Sequence, residues 1–192
     1  MQEVICTFDI NHKIELAGAI DEDNEILSQL KSDPLLVDSI SPKSLLLKFL
    51  EKLETRMTFA RVSDLALAIL AHPNPSKYDY EINKSIQSLL SRQKYEETFL
   101  VFDKMAETGF PVDQHILMDA MVSLHSSKMT NHLIEKCLDL ILRLVKRGYD
   151  FNQTFWKTAY DIMKSQNIKY SNEMLLNYPF KVNYKNINLV NI

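Results

Sequence analysis

The chain has 192 residues, of which 46% are apolar and 24% charged, and a formal net charge of -3. This suffices for one compact domain or one elongated repeat array, and it excludes a disordered chain and a globally basic nucleic-acid binder. Three glycines and six prolines are too few for the many tight turns of an all-β fold, so an all-α protein is expected.

Residues 1–60 carry 6 basic and 11 acidic side chains, and the remainder carries 16 and 14. An acidic head and a slightly basic body need not do the same job. Met1 to Ile10 hold Glu3 and Asp9 and no basic residue, which matches neither a secretory signal nor an Arg-rich presequence. The expectation is a chain without an N-terminal address, or a mature or excised piece with an added Met1. No apolar run approaches ~20 residues, so no membrane span is expected.

Val4 to Phe8 is apolar and β-branched and reads as an extended arm. Asp21-Glu22-Asp23 marks a helix start, because carboxylates favour the first turn, and the helix it opens stops before Pro34. Residues 1–40 are read as an irregular, acidic N-terminal cap. Ser41-Pro42 reads as a cap followed by Pro at the first helical position, with Leu46, Phe49, Leu50 and Leu53 at helical spacing behind it. Thr58 opens the next helix. Its run Leu65 to Leu70 is apolar almost all round, which predicts burial on more than one side.

The pattern then repeats. Ile82, Ile86, Leu89 and Leu90 precede a polar turn at Ser91 to Lys94, and Phe99, Phe102 and Met105 lead to Gly109. Leu117, Met121 and Leu124 precede a polar stretch, His125 to Asn131. Ile134, Cys137, Leu138, Ile141 and Leu144 then lead to Gly148. Gly109 and Gly148 are each followed by an aromatic and read as left-handed helix stops. Their separation of 39 residues is a helix-pair repeat period. Trp156, Tyr160 and Met163 begin a third unit. The repeat domain is assigned to 41–177, with a flexible Asn- and Lys-rich tail over 178–192.

Ile82 to Asp113 resembles a pentatricopeptide repeat: Ile82-Asn83, Ile86, the run Phe99 to Met105, Gly109 and Asp113 stand where that family has its signature residues. Departures are Thr98 for a small Ala, Pro111 one residue early, and a helix-pair turn without its usual Gly. The unit Gln114 to Asn152 carries extra residues near its turn. Pro42 to His72 is similar in architecture and not in motif. The resemblance implies a short right-handed solenoid of antiparallel helix hairpins, capped by the N-terminal segment. It also implies that first helices line a concave face binding single-stranded RNA, roughly one base per repeat. The base-reading residues it implies are Asn83 with Asp113, a pair resembling the family's uracil reader, then Met118 with Asn152, then Lys157. Their alternatives are structural: Asn83 as a solvated helix residue, Asp113 as a cap for the next helix. Lys84, Arg92, Lys94 and Lys104 are candidates for phosphate contact, or ordinary surface charge.

The family resemblance further implies a mitochondrial matrix location and a role in transcript stability, processing or translation. The Asn-, Ile- and Lys-rich composition suits an AT-rich genome, which points to a fungal mitochondrial mRNA-stability factor. The alternative is a protein-binding scaffold in a ribosome-associated or assembly complex, favoured by the acidic head and by Met118. A groove of mixed charge would support that alternative, and a basic one would support RNA. A further alternative has residues 1–60 folding back into the groove. No enzyme is expected: GxSxG, Walker, HExxH and dinucleotide motifs are absent. His12, His72, His115, His125 and His132 share no metal spacing, and Cys6 and Cys137 read as thiols rather than a disulfide or zinc site. No cofactor or metal is expected.

Overall fold

The computed structural model describes residues 10–127 and 131–165, and among them there is helix and no strand. The arm Val4 to Phe8, Cys6, the end of the third unit and the tail from Tyr178 lie outside the described residues. Helix α1 covers residues 10–16, followed by α2 (Ile20–Ser32), a 3-10 turn (Pro34–Ser39), α3 (Ser44–Thr55) and α4 (Phe59–Leu70). A second 3-10 turn (Pro75–Tyr78) leads into α5 (Asp79–Ser91), α6 (Tyr95–Thr108), α7 (Gln114–Ser126), α8 (Asn131–Lys146) and α9 (Gln153–Ser165).

Packing separates the helices into two rows. The odd helices contact one another in sequence, α3 with α5, α5 with α7 and α7 with α9; the even helices do likewise from α2 to α8. Each of α3, α5 and α7 also contacts the even helix that follows it. The core runs unbroken between the rows, from Ile10 to Met163. Helix α4 touches α2, α3, α5 and α6, as its all-round apolar run predicts. Thr98 stands fully buried in α6, and its hydroxyl donates to the Lys94 carbonyl at 2.7 Å. A hydroxyl therefore sits in this interface without an orphaned donor.

One local device recurs at the helix ends. Met57, Gln93, Gly109 and Gly148 have φ of 56°, 58°, 72° and 86°. Behind each, an amide reaches back to a carbonyl five residues earlier: Thr58 to Leu53 at 3.1 Å, Lys94 to Leu89 at 2.9 Å, Phe110 to Met105 at 2.9 Å and Tyr149 to Leu144 at 3.0 Å. These bonds satisfy carbonyls that a helix end would leave unpaired.

The helix read behind Asp21-Glu22-Asp23 is α2, which ends at Ser32, before Pro34. The start of the described segment departs from the irregular cap expected of it: Ile10, Ile14 and Ala17 are buried at helical spacing, and residues 10–16 form α1. Helix α2 packs on α4 and thereby extends the even row. Lys52 of α3 and Arg56 just past its end hold the turn between α1 and α2. Lys52 donates to the carbonyls of Ile14, Glu15 and Ala17 at 2.8, 2.9 and 3.2 Å. Arg56 donates to Ala17 and Ala19 and pairs with the fully buried Asp23. Cations belong at such a C-terminal end, where carbonyls converge.

Helix α3 begins at Ser44, later than Ser41-Pro42 suggests. The Ser41 amide is taken by Asn11 Oδ1 at 3.0 Å, and the Pro42 carbonyl accepts from Leu45 at 2.8 Å in a tight turn, so Ser41 ties α3 to α1 instead of capping it.

A second cluster joins the two 3-10 turns. Asp38 accepts from the Tyr78 hydroxyl at 2.6 Å, from His72 Nε2 at 3.0 Å and from Lys77 at 3.3 Å. His72 Nδ1 accepts the Asn74 amide at 2.9 Å, which fixes the neutral tautomer with its proton on Nε2. The Tyr78 hydroxyl, with His72 and Lys77, holds the Asp38 carboxyl down at about 2. No described helix is long and apolar enough to cross a membrane.

Two expectations follow. Met57→Gly and Gln93→Gly each relieve a left-handed side-chain residue and raise the unfolding midpoint. The gain is up to about 1 kcal/mol by denaturant titration, since glycine's chain entropy offsets part of the relief. The contribution of Asp38 is present above its ordinary range near 3.8 and is lost as pH falls from about 4 toward about 2. Denaturation midpoints of Asp38→Asn therefore change less than those of the parent chain across that interval.

Candidate functional site

The solvent side of the odd row is assembled from one stripe per helix. Residues three or four apart share a helix face, and burial selects which ones meet water. On α5 they are Tyr80, Lys84, Gln87 and Ser91, with Asn83 half-buried among them. On α7 they are His115, Asp119, Val122 and Ser126, with Met118 half-buried; on α9 they are Thr154, Lys157, Asp161 and Lys164. Counting from the first helical residue, Asn83, Met118 and Lys157 are each the fifth of their helix. Helices that pack one on the next thus carry the three residues in register. The same count on α3 reaches Lys48, which is exposed. It follows from helix starts, which the displaced reading of α3 had hidden.

Asp113 and Asn152 stand just before α7 and α9, at the same N-terminal end of the row. Asp113 caps α7, its Oδ1 accepting the His115 amide at 2.7 Å. Asn152 caps α9, its Oδ1 accepting the Phe155 amide at 2.9 Å, while its own amide donates to Gln114 Oε1 at 3.3 Å. The capping alternative is therefore what the contacts display. The second carboxylate oxygen of Asp113 and the side-chain amide of Asn152 remain outside these caps. Asn83 donates from Nδ2 to Asp79 Oδ1 at 3.1 Å, and its own Oδ1 is buried without a hydrogen-bond partner.

Charge is distributed unequally between the rows. The even row is stitched by ion pairs: Lys31 to Asp64 at 2.7 Å, Lys136 to Glu96 at 2.7 Å, and Arg143 to Asp103. Partial burial works against the charge of Arg143, but the carboxylates of Asp103 and Asp139 outweigh it and hold the guanidinium still more firmly charged. On the odd face Lys48, Glu51, Lys84, Asp119, Lys157, Asp161 and Lys164 are exposed, and none enters an ion pair among the described residues. The signs alternate, so the face is uncommitted rather than basic. The candidate phosphate contacts divide accordingly. Lys104 pairs with Glu107 at 3.2 Å, and Lys94 lies 5.5 Å from the centre of the Phe59 ring. Lys84 and Arg92 have no such engagement among the described residues.

Among the described residues no group of three His, Cys, Asp or Glu side chains is placed to hold a metal ion. Cys137 is a buried free thiol whose ionisation burial pushes up.

Substitutions at the two reader positions separate cleanly in stability. Asp113→Ala removes a cap and costs about 1 kcal/mol, whereas Asp113→Ser retains the cap. Asn83→Ala removes an orphaned buried oxygen and improves helix propensity, so it stays within about 0.5 kcal/mol of the parent or above it. Urea titrations of the three variants check the order. Comparison of the chain with protein-family models, with curated proteins and with solved structures gives no match.

Proposed function

We propose that the chain is a short right-handed solenoid of pentatricopeptide-like hairpins that binds single-stranded RNA along its odd helices. One observation carries this reading. Asn83, Met118 and Lys157 hold the same register on successively packed helices, on a face whose exposed charges Lys84, Asp119, Lys157, Asp161 and Lys164 enter no ion pair among the described residues. A polymer of flat, hydrogen-bonding units at regular spacing is the partner such a row suits. Recurrence of the left-handed turn at Met57 and Gln93 supports treating α3–α4 and α5–α6 as equivalent units, with Lys48 at the head of the row.

In this reading Asn83, whose Oδ1 is buried, addresses one base edge through the second hydrogen of its Nδ2 group, with help from the outer oxygen of Asp113, preferring uracil. Met118 offers a ring contact without a polar group, and Lys157 reaches phosphate. The likeness of Ile82 to Asp113 to the family repeat supports a reading in which the work is done in the mitochondrial matrix, on transcript stability, processing or translation. The second reading is a protein scaffold, and the alternating signs of Lys84, Asp119, Lys157 and Asp161 along the face favour it.

Fluorescence anisotropy with oligo-uridylate and oligo-adenylate at low and moderate salt tests the proposal. Binding is expected to favour uridylate and to weaken with salt. Asn83→Ala is expected to weaken it by about fivefold to tenfold, the worth of one lost hydrogen bond. Asp113→Ser, which keeps the cap, reports the contribution of the outer carboxylate oxygen alone. Absence of binding at about 100 µM RNA, a threshold near -5 kcal/mol, overturns the RNA reading and leaves the protein scaffold.

A further inference from the structure

The odd face ends in a cleft. Where the turn between α5 and α6 meets the C-terminal half of α7, an opening of about 420 Å³ is lined chiefly by Leu90, Ser91, Gln93, Val122, Ser123 and Ser126. Ser91, Val122 and Ser126 are also the last members of the α5 and α7 stripes. The cleft is therefore continuous with the face that carries Asn83 and Met118, and lies at the opposite end of these helices from the caps.

Its chemistry narrows what it can take. None of the lining residues carries a charge, so a carboxylate, an ammonium or a phosphate would lose hydration there without gaining a counter-charge. Leu90 is partly buried and Val122 is 43% exposed, and they offer apolar walls. Ser91 and Ser126 donate to the carbonyls of Ser88 and Val122 at 2.8 and 2.9 Å, which leaves their oxygens free to accept. The Ser123 hydroxyl and the Gln93 amide make no side-chain bond among the described residues. They supply donors as well as acceptors. A flat ring with a mixed donor and acceptor edge matches this lining, and the volume lies within the range of small-ligand sites. Arg92, between Ser91 and Gln93 in the chain, is exposed and in no ion pair among the described residues. It is a suitable phosphate partner for whatever ring enters.

We infer that this cleft is a nucleotide-binding subsite, with a base between Leu90 and Val122, its edge on Ser123 and Gln93, and its phosphate on Arg92. The inference rests on the RNA reading for the source of that nucleotide, which is one residue of a bound strand; a free mononucleotide has the same chemistry.

Backbone amide shifts of the full-length chain separate the cases, with oligo-uridylate and uridine monophosphate as probes. The expected result is that oligo-uridylate moves the amides of Ser91, Ser123 and Ser126 together with those of Asn83 and Lys157. Ser126→Leu, which fills the cleft, then abolishes the first set and leaves the second. Gln93→Gly, which relieves a left-handed residue and so preserves folding, is expected to weaken oligo-uridylate by about tenfold. Shifts at Asn83 and Lys157 alone, with both cleft variants binding like the parent, overturn the subsite and leave the RNA reading standing. Shifts at the cleft with the monophosphate, but no binding of the oligonucleotide, assign a free-nucleotide site and overturn the RNA reading. Silence with both probes overturns both.

Discussion

The stack depends on a single backbone requirement: a helix must stop within one residue and send the chain back. Four times this is met by a residue in the left-handed conformation, with an amide returning to the carbonyl five positions earlier. Without that bond the last carbonyls of α3, α5, α6 and α8 would stand unpaired against a hydrophobic core. With it, α3 turns directly onto α4 and α5 onto α6, and the two rows can form. Glycine fills the slot at 109 and 148, between units. Met57 and Gln93 fill it within units, where the surrounding packing must hold an L-residue in a conformation it resists.

How much of this was legible in the sequence follows from the same distinction. Gly109 and Gly148 announce themselves, because a glycine before an aromatic at the end of an apolar period has few other readings. Met57 and Gln93 do not, since nothing in a methionine or glutamine marks positive φ. The helices with long apolar periods, α4 to α9, could be read in order. Helix α1 could not, because Ile10, Ile14 and Ala17 make too short a period to separate from chance. The start of α3 was misplaced for a tertiary reason: Asn11, thirty residues away, claims the Ser41 amide. The Asp38 cluster was likewise invisible, as its members come from stretches 34 to 40 residues apart.

The candidate site was legible to a different degree at each residue. Asp113 and Asn152 precede helices, and their capping role is one that short polar residues at such positions commonly take. The shared register of Asn83, Met118 and Lys157 came from family likeness and is matched by counting from helix starts. Lys48 was missed because its helix start was misread. Ser91 to Lys94 had been read as a polar turn with Arg92 and Lys94 as candidate phosphate contacts, and Ser126 as part of the polar stretch from His125. Convergence of the two stretches on one cleft requires the packing of α5 on α7, which no local pattern encodes.

The unequal use of charge in the two rows has a mechanical consequence. The stack resembles a flexible strip whose edges are fastened by different adhesives. One edge is reinforced with ion pairs between α2 and α4 and between α6 and α8, which added salt screens. The other edge has no ion pair between its helices among the described residues; hydrogen bonds such as Asn152 to Gln114 and apolar contact hold it, and cooling loosens the apolar part. Ionic strength and temperature therefore act on opposite edges, so the packing of one row against the other is a tunable property rather than a fixed one.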